Sequence, residues 1–142
     1  MILIDANLLL YAYDPSTAQH DACRRWIEEA FSKPEPVLLP WISIVAFVRL
    51  ATNPRVWRHP LSVPEAVAIV DEWLALPNVT VPSPGERHWS ILRALLPEAQ
   101  CRGPLVTDAH LAALAIEHGA TFCTNDRDFS RFPKLRLFNP LA

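Results

Sequence analysis

The sequence predicts one α/β domain over residues 1–142, with a central, mostly parallel sheet of four to five strands flanked by helices. Three observations predict it. Short β-prone runs alternate with longer amphipathic runs along the chain, and parallel strands require helical crossovers between them. The 142 residues suffice for one domain and are too few for two ordinary ones. The composition, 51% hydrophobic and 20% charged, is that of a chain able to bury a core.

The elements follow in order. "ILI" at 2–4 reads as a buried strand, and "NLLLYAYD" then coils into a short helix. Thr17 is placed to cap a helix running to about Phe31, with Ala22, Trp26, Ile27 and Ala30 at helical spacing, and Pro34 and Pro36 end it. "VLL" at 37–39 is the second strand, closed by Pro40; "WISIVAFVRLAT" at 41–52 is a buried helix stopped by Asn53-Pro54. Ser62 can cap the next helix, with Pro64 and Glu65 in its first turn and a stripe of Ala66, Ile69, Val70, Trp73 and Leu76. "VTV" at 79–81 is the third strand, and "ERHWSILRALL" is helical to near Pro97. "CRGPLV" reads as a loop, after which Thr107 caps "DAHLAALAIEHG", stopped by Gly119. "TFC" at 121–123, one helical turn around Asp128–Arg131 and a last strand "RLF" at 136–138 complete the chain.

Composition narrows the function classes. Cys23, Cys101 and Cys123 are an odd set without a CxxC pair, which argues against a disulfide framework and a thiolate zinc site, and suits a reducing cytoplasm. No apolar run approaches the roughly 18 residues of a membrane span. The apolar start has no basic leader and is interrupted by Asp5, so it reads as a strand and not a signal peptide. The net charge of −2 makes no global case for nucleic acid. Locally, no acid occurs from Pro36 to Pro64, whereas Arg49, Arg55, Arg58 and His59 fall there. Those side chains suit either an anionic ligand or ordinary surface packing.

The acids carry the chemistry. Asp5 directly follows the first strand, Asp126 and Asp128 follow the fourth, and Asp108 heads the helix leading into the fourth. In open parallel sheets ligands bind beyond the carboxyl ends of the strands, where strand order reverses. If the first and fourth strands are neighbours, these carboxylates converge there. Two carboxylates about 4 Å apart repel by roughly 4 kcal/mol at an effective dielectric of 20. A cluster therefore needs either raised pKa values or a divalent cation, and oxygen-only ligands favour magnesium or manganese. Such an ion makes water a better nucleophile and offsets charge growing on a phosphate. Singly, each acid has a local alternative: Asp5 can open a turn, Asp108 can favour its helix N-terminus, and Asp126 and Asp128 can cap the last short helix.

"MILIDANLLLYAYD", "FVRLATNPRVW", "TDAHLAALAIEHGATFCTNDRDF" and "LRLFNPL" resemble the PIN-domain ribonuclease toxins of the VapC type, from Met1 to Leu141. The resemblance implies a single PIN domain and a magnesium- or manganese-dependent endoribonuclease. It matches the family's acids to Asp5, Asp108 and Asp126, with Asp128 as an auxiliary acid. It also implies a homodimer inhibited by a cognate VapB antitoxin. One position departs: Ala46 stands where the family commonly carries a glutamate, and no acid lies between Glu35 and Glu65 to replace it. The resemblance therefore leaves one or two ions open, and a non-cleaving module that binds RNA or protein is the alternative reading.

On this reading Asp5, Asp108 and Asp126 hold magnesium and Asp128 orients water or tunes the site. Thr124 and Asn125 are candidates for phosphate or water, and Arg49, Arg55 and Arg58 for RNA phosphates or antitoxin contacts. Trp26 and Trp73 read as core, while Trp41, Trp57 and Trp89 are the open candidates for stacking bases. His88 and His110 show no partner spacing for acid–base catalysis, with His110 expected toward solvent or the site rim. A receiver domain would need a lysine after a late strand, and neither Lys33 nor Lys134 suits. A haloacid-dehalogenase-type phosphatase would need an acid two residues after Asp5, where Asn7 stands.

Overall fold

The computed structural model describes the whole chain, Met1–Ala142. Five strands, β1 (Ile2–Ile4), β2 (Val37–Leu38), β3 (Val79–Thr80), β4 (Thr121–Cys123) and β5 (Leu137–Phe138), form one sheet in the order β3-β2-β1-β4-β5. Every pairing is parallel, so the sheet expected to be mostly parallel is wholly so. The crossovers are α1 (Ala6–Tyr13), α2 (His20–Ser32), α3 (Trp41–Ala51), α4 (Val63–Ala75), α5 (His88–Glu98) and α6 (Leu105–His118). The chain steps outward from β1 to β2 and β3, then returns to lay β4 on the other side of β1. The strand order thus reverses between β1 and β4.

Two apolar layers hold the sheet. Ile4 joins Leu8, Ile27, Phe47 and Trp73 on the face covered by α1 to α4. Leu3 joins Leu95, Leu114, Phe122 and Phe129 on the face covered by α5 and α6. Adjacent residues of one strand enter opposite layers because strand side chains alternate with period two. Leu3, Ile4, Leu8 and Phe122 are each 0% exposed, so β1 cannot slip register without turning its core residues to the wrong face.

Several caps match expectation. Ser62 and Glu65 form a reciprocal capping box, with Pro64 in the first turn of α4. Gly119, at φ 69°, ends α6 in the left-handed conformation that glycine adopts without strain. Two caps are corrected. Thr17 does not cap α2: a turn around Asp14–Ser16 delays the helix to His20, behind Gln19, and Thr17 bonds the Gln19 side chain instead. Thr107 does not cap α6 either. The helix already begins at Leu105, because Pro104 holds helical angles (φ −59°, ψ −24°) at its head, so part of the expected loop 101–106 is helical.

Candidate active site

Ile4 of β1 lies opposite Cys123 of β4, so the residues that follow, Asp5 and Thr124, leave the sheet side by side. The Asp5 backbone N–H donates to the Cys123 carbonyl at 3.0 Å. Asp5 also N-caps α1, its Oδ1 accepting from the Ala6 N–H at 2.8 Å. Its Oδ2 accepts from the Thr124 hydroxyl at 2.7 Å. That hydroxyl in turn accepts from Asn7 Nδ2 at 3.3 Å and from the Asp126 N–H at 3.0 Å. Asp126 Oδ1 accepts from the Asp128 N–H at 2.9 Å and so caps the short 3₁₀ turn Arg127–Arg131. Asp108, in the first turn of α6, arrives from the opposite layer. Asp108, Asp126 and Asp128 each offer a carboxylate oxygen, and these three oxygens lie within 4.8 Å of one another.

The local capping roles are real, and the acids converge nonetheless. Burial pushes the Asp5 carboxyl above its usual range, and the Asp126 charge adds to this, against the lowering bonds from Thr124 and Ala6. Burial, followed by the charges of Asp126, Asp5 and Asp128, raises Asp108 to about 6, with Arg131 opposing. Asp5 leaves β1 beside the end of β4, from which Asp126 follows, and Asp126 lies with Asp108 and Asp128, so the four acids gather at the carboxyl end of the sheet. The ligand-like trio nevertheless differs from expectation. Asp128 belongs to the set within mutual reach, and the Asp5 carboxylate stands outside it, held by its two hydrogen bonds.

Other expected residues are placed differently. The Thr124 hydroxyl, a candidate for phosphate or water, is buried and has its donor and both acceptor positions in use. Asn125 Oδ1 accepts from Asn139 Nδ2 at 3.1 Å, tying the loop to the C-terminal segment. Arg49 lies exposed near the end of α3, and Arg55 and Arg58 are exposed beyond it. Trp57 and Trp73 are buried and Trp41 and Trp89 exposed, while Trp26 is only half-buried. His110 does not simply face solvent or the rim: its Nδ1 pairs with His88 Nε2 at 3.0 Å, with Glu117 Oε1 4.0 Å from His88 Nδ1.

Two contributors escaped the sequence reading. Asn7 reaches Thr124 through its amide nitrogen while its Oδ1 is buried without a partner. Its signal was the position two residues after Asp5. Arg131 donates Nε to the Asp128 carbonyl at 3.1 Å and Nη1 to the Ala99 carbonyl at 3.5 Å. Its signal was the spacing of three from Asp128, one turn of a 3₁₀ helix.

A sequence profile described as the PIN domain matches residues 2–135. Ribonuclease VapC37 of Mycobacterium tuberculosis is 40% identical over 142 residues, covering 100% of this chain and 99% of that protein. The crystal structure of FitAcB from Neisseria gonorrhoeae superimposes with TM-score 0.71 at 20% identity, covering 99% of this chain and 98% of the other. That of VapBC2 from Rickettsia felis, bound to a DNA fragment from its promoter, gives TM-score 0.70 at 19% identity, covering 98% of each chain.

Proposed function

The chain belongs to the PIN domain family, and from that premise we propose that it is a VapC-type toxin, a metal-dependent endoribonuclease that hydrolyses RNA phosphodiester bonds. The observation that carries the chemistry is the trio of carboxylate oxygens within 4.8 Å of one another. An all-oxygen set fits a hard divalent ion, magnesium or manganese, which would be held by Asp108, Asp126 and Asp128. When bound, such an ion supplies Lewis acidity, making water a better nucleophile at neutral pH and offsetting charge that grows on the phosphate.

The chain's own residues do the rest. Thr124 fixes the Asp5 carboxylate and the Asp126 backbone with one hydroxyl, so both acids keep their places without a ligand. Asp5 keeps free lone pairs on both oxygens, and its charge faces the trio, where it can orient water on the phosphate. Arg131 offsets part of the negative charge on Asp108. The fold family's toxin–antitoxin complexes support a VapB-type antitoxin as partner, and a homodimer acting in the cytoplasm completes the reading. No helix is long and apolar enough to cross a membrane.

Ala46 favours a second reading, a module that binds RNA or protein without cutting. One experiment separates the two. Purified protein is incubated with structured RNA in magnesium and again in EDTA, beside Asp108→Asn. Fragments that need metal and vanish in the variant support the nuclease. Tight RNA binding with no cleavage in magnesium or manganese supports the module.

A further inference from the structure

A second group of titratable side chains lies in the layer of α5 and α6, apart from the acid trio. His88 heads α5 and is 8% exposed. Its Nε2 meets Nδ1 of His110, on α6, at 3.0 Å, with the ring planes 75° apart. Its Nδ1 is buried without a hydrogen-bond partner, and Glu117 Oε1 stands 4.0 Å away, beyond bonding reach. His118, the other histidine of α6, is held by the Ser83 carbonyl at 2.9 Å. Asp108 precedes His110 by two residues, about 200° around the helix, so the pair and the trio leave α6 from different sides.

A plain hydrogen bond does not satisfy this pair. Each neutral ring carries one hydrogen and one lone pair. If His88 donates from Nε2, its bare Nδ1 faces the Glu117 carboxylate, acceptor against acceptor. If His110 donates from Nδ1, His88 keeps its hydrogen on Nδ1, where the carboxylate is too far to take it. Either way a buried polar atom goes without a partner, which native interiors rarely leave. A metal ion removes the conflict. The His110 hydrogen moves from Nδ1 to Nε2, so each ring turns a lone pair to the ion and no proton is released. His88 keeps its hydrogen on Nδ1, and the charge of the ion strengthens the pull of Glu117 on it, the carboxylate–histidine–metal arrangement. Two zinc–nitrogen bonds of about 2.0–2.1 Å at a tetrahedral angle set their nitrogens about 3.3 Å apart, so the pair opens by only about 0.3 Å. His110 is half-buried, which leaves the remaining positions on the ion to water.

We propose that His88 and His110 form a second metal site, for a zinc-class ion bound by two imidazole nitrogens and water, with Glu117 orienting His88. Imidazole suits zinc, copper and nickel, so the site differs in chemistry from the all-oxygen trio. When occupied it fastens α5 to α6, the helix that carries Asp108. It stands whether or not the chain cuts RNA.

The test titrates zinc into the metal-stripped protein by calorimetry, with millimolar magnesium present to occupy the acid trio. One zinc binds per chain and raises the melting temperature. His110→Gln and His88→Gln each lose this zinc, with melting curves to show that the variants fold. Glu117→Gln weakens it roughly 10- to 100-fold. Asp108→Asn, which removes a carboxylate of the trio, leaves it in place. Copper(II) in place of zinc shows two coupled nitrogens by electron paramagnetic resonance, a count the all-oxygen trio cannot give. If His88→Gln does not fold, His110→Gln and the copper spectrum of the unsubstituted protein decide. No zinc binding by the unsubstituted protein overturns the proposal. So does zinc that survives both histidine substitutions, or zinc that Asp108→Asn alone removes, which places the ion on the trio. RNA cleavage enters none of these readouts, so their failure leaves the nuclease reading standing.

Discussion

Thr124 donates its hydroxyl to Asp5 Oδ2 at 2.7 Å across 119 residues of chain, and its own hydroxyl oxygen accepts the Asp126 N–H. One small side chain thus ties the acid after β1 to the acid after β4. Replacement by the near-isosteric valine removes the bond that lowers the Asp5 carboxyl and leaves a buried N–H and carboxylate oxygen short of a partner. Thr124→Val should cost about 1–3 kcal/mol of stability. Its pH–rate profile should lose activity at higher pH on the acid side, because Asp5 protonates more readily. Thr124→Ser, which keeps the hydroxyl, should restore the profile. A valine variant with an unmoved acid limb would separate Thr124 from Asp5 function.

Asp108 makes a prediction about stability without metal. Its carboxyl is raised from 3.8 to about 6 by burial and by three neighbouring acids. A group raised on folding stabilises the native state below its unfolded pKa, and that contribution is lost as pH rises through the folded value. In EDTA, the contribution of Asp108 should therefore favour the fold near pH 4 and be gone by about pH 7. Asp108→Asn should flatten this part of the melting curve against pH. Magnesium should raise the melting temperature more near pH 7.5 than near pH 5, since protons and metal compete for the same oxygens. An equal metal shift at both pH values in the unsubstituted protein would place the ion elsewhere.

The order of strands and helices was legible because each apolar run has a period and a punctuation mark: Asn53-Pro54, the Ser62–Glu65 box and Gly119 all act where they stand. The convergence of Asp5, Asp108 and Asp126 was legible because parallel α/β topology sends strand ends to one edge. Which three of the four acids lie within mutual reach was not. Asp128 joins the trio from the 3₁₀ turn that follows Asp126, and Asp5 stands outside it with its carboxylate bonded to Ala6 and Thr124. The internal bonding of Thr124 is equally hidden: its partners Asn7 and Asp5 are distant in sequence, and no local pattern reports them. Pro104 hid the true start of α6 because a proline reads equally well as a loop or as a helix head.

Glu117 predicts where the second layer is fragile. Its carboxylate accepts from the Gly85 N–H at 2.8 Å and the Arg87 N–H at 3.0 Å, fastening the entry of α5 to the end of α6. A Cβ on residue 85 would meet Glu117 Oε2 at 2.6 Å, so an alanine there would shift the carboxylate. Glu117→Gln keeps one acceptor and should cost about 0.5–1.5 kcal/mol, because the donors it leaves are exposed to water, and Gly85→Ala should cost a similar amount by pushing the carboxylate off both donors. Because both changes act on the same contact, the double variant should lose less than the sum of the two, measured by urea unfolding. Strict additivity would mean that the two residues act through different contacts.

Ala46 sets the last prediction, on the number of ions. It stands half-buried in the second turn of α3, which leaves the carboxyl end of β2, the strand beside β1. Ser43, one turn earlier, has a buried hydroxyl without a partner, so a carboxylate at residue 46 would gain a donor at helical spacing. Ala46→Glu adds a fifth acid on the Asp5 side of the site, away from the trio. Without metal the added repulsion should lower the melting temperature. With manganese the variant should bind a second ion by calorimetry, where the unsubstituted protein binds one, and its cleavage rate should rise. If the stoichiometry stays at one and the rate does not change, the alanine is no defect, and Asp108, Asp126 and Asp128 suffice for the metal site.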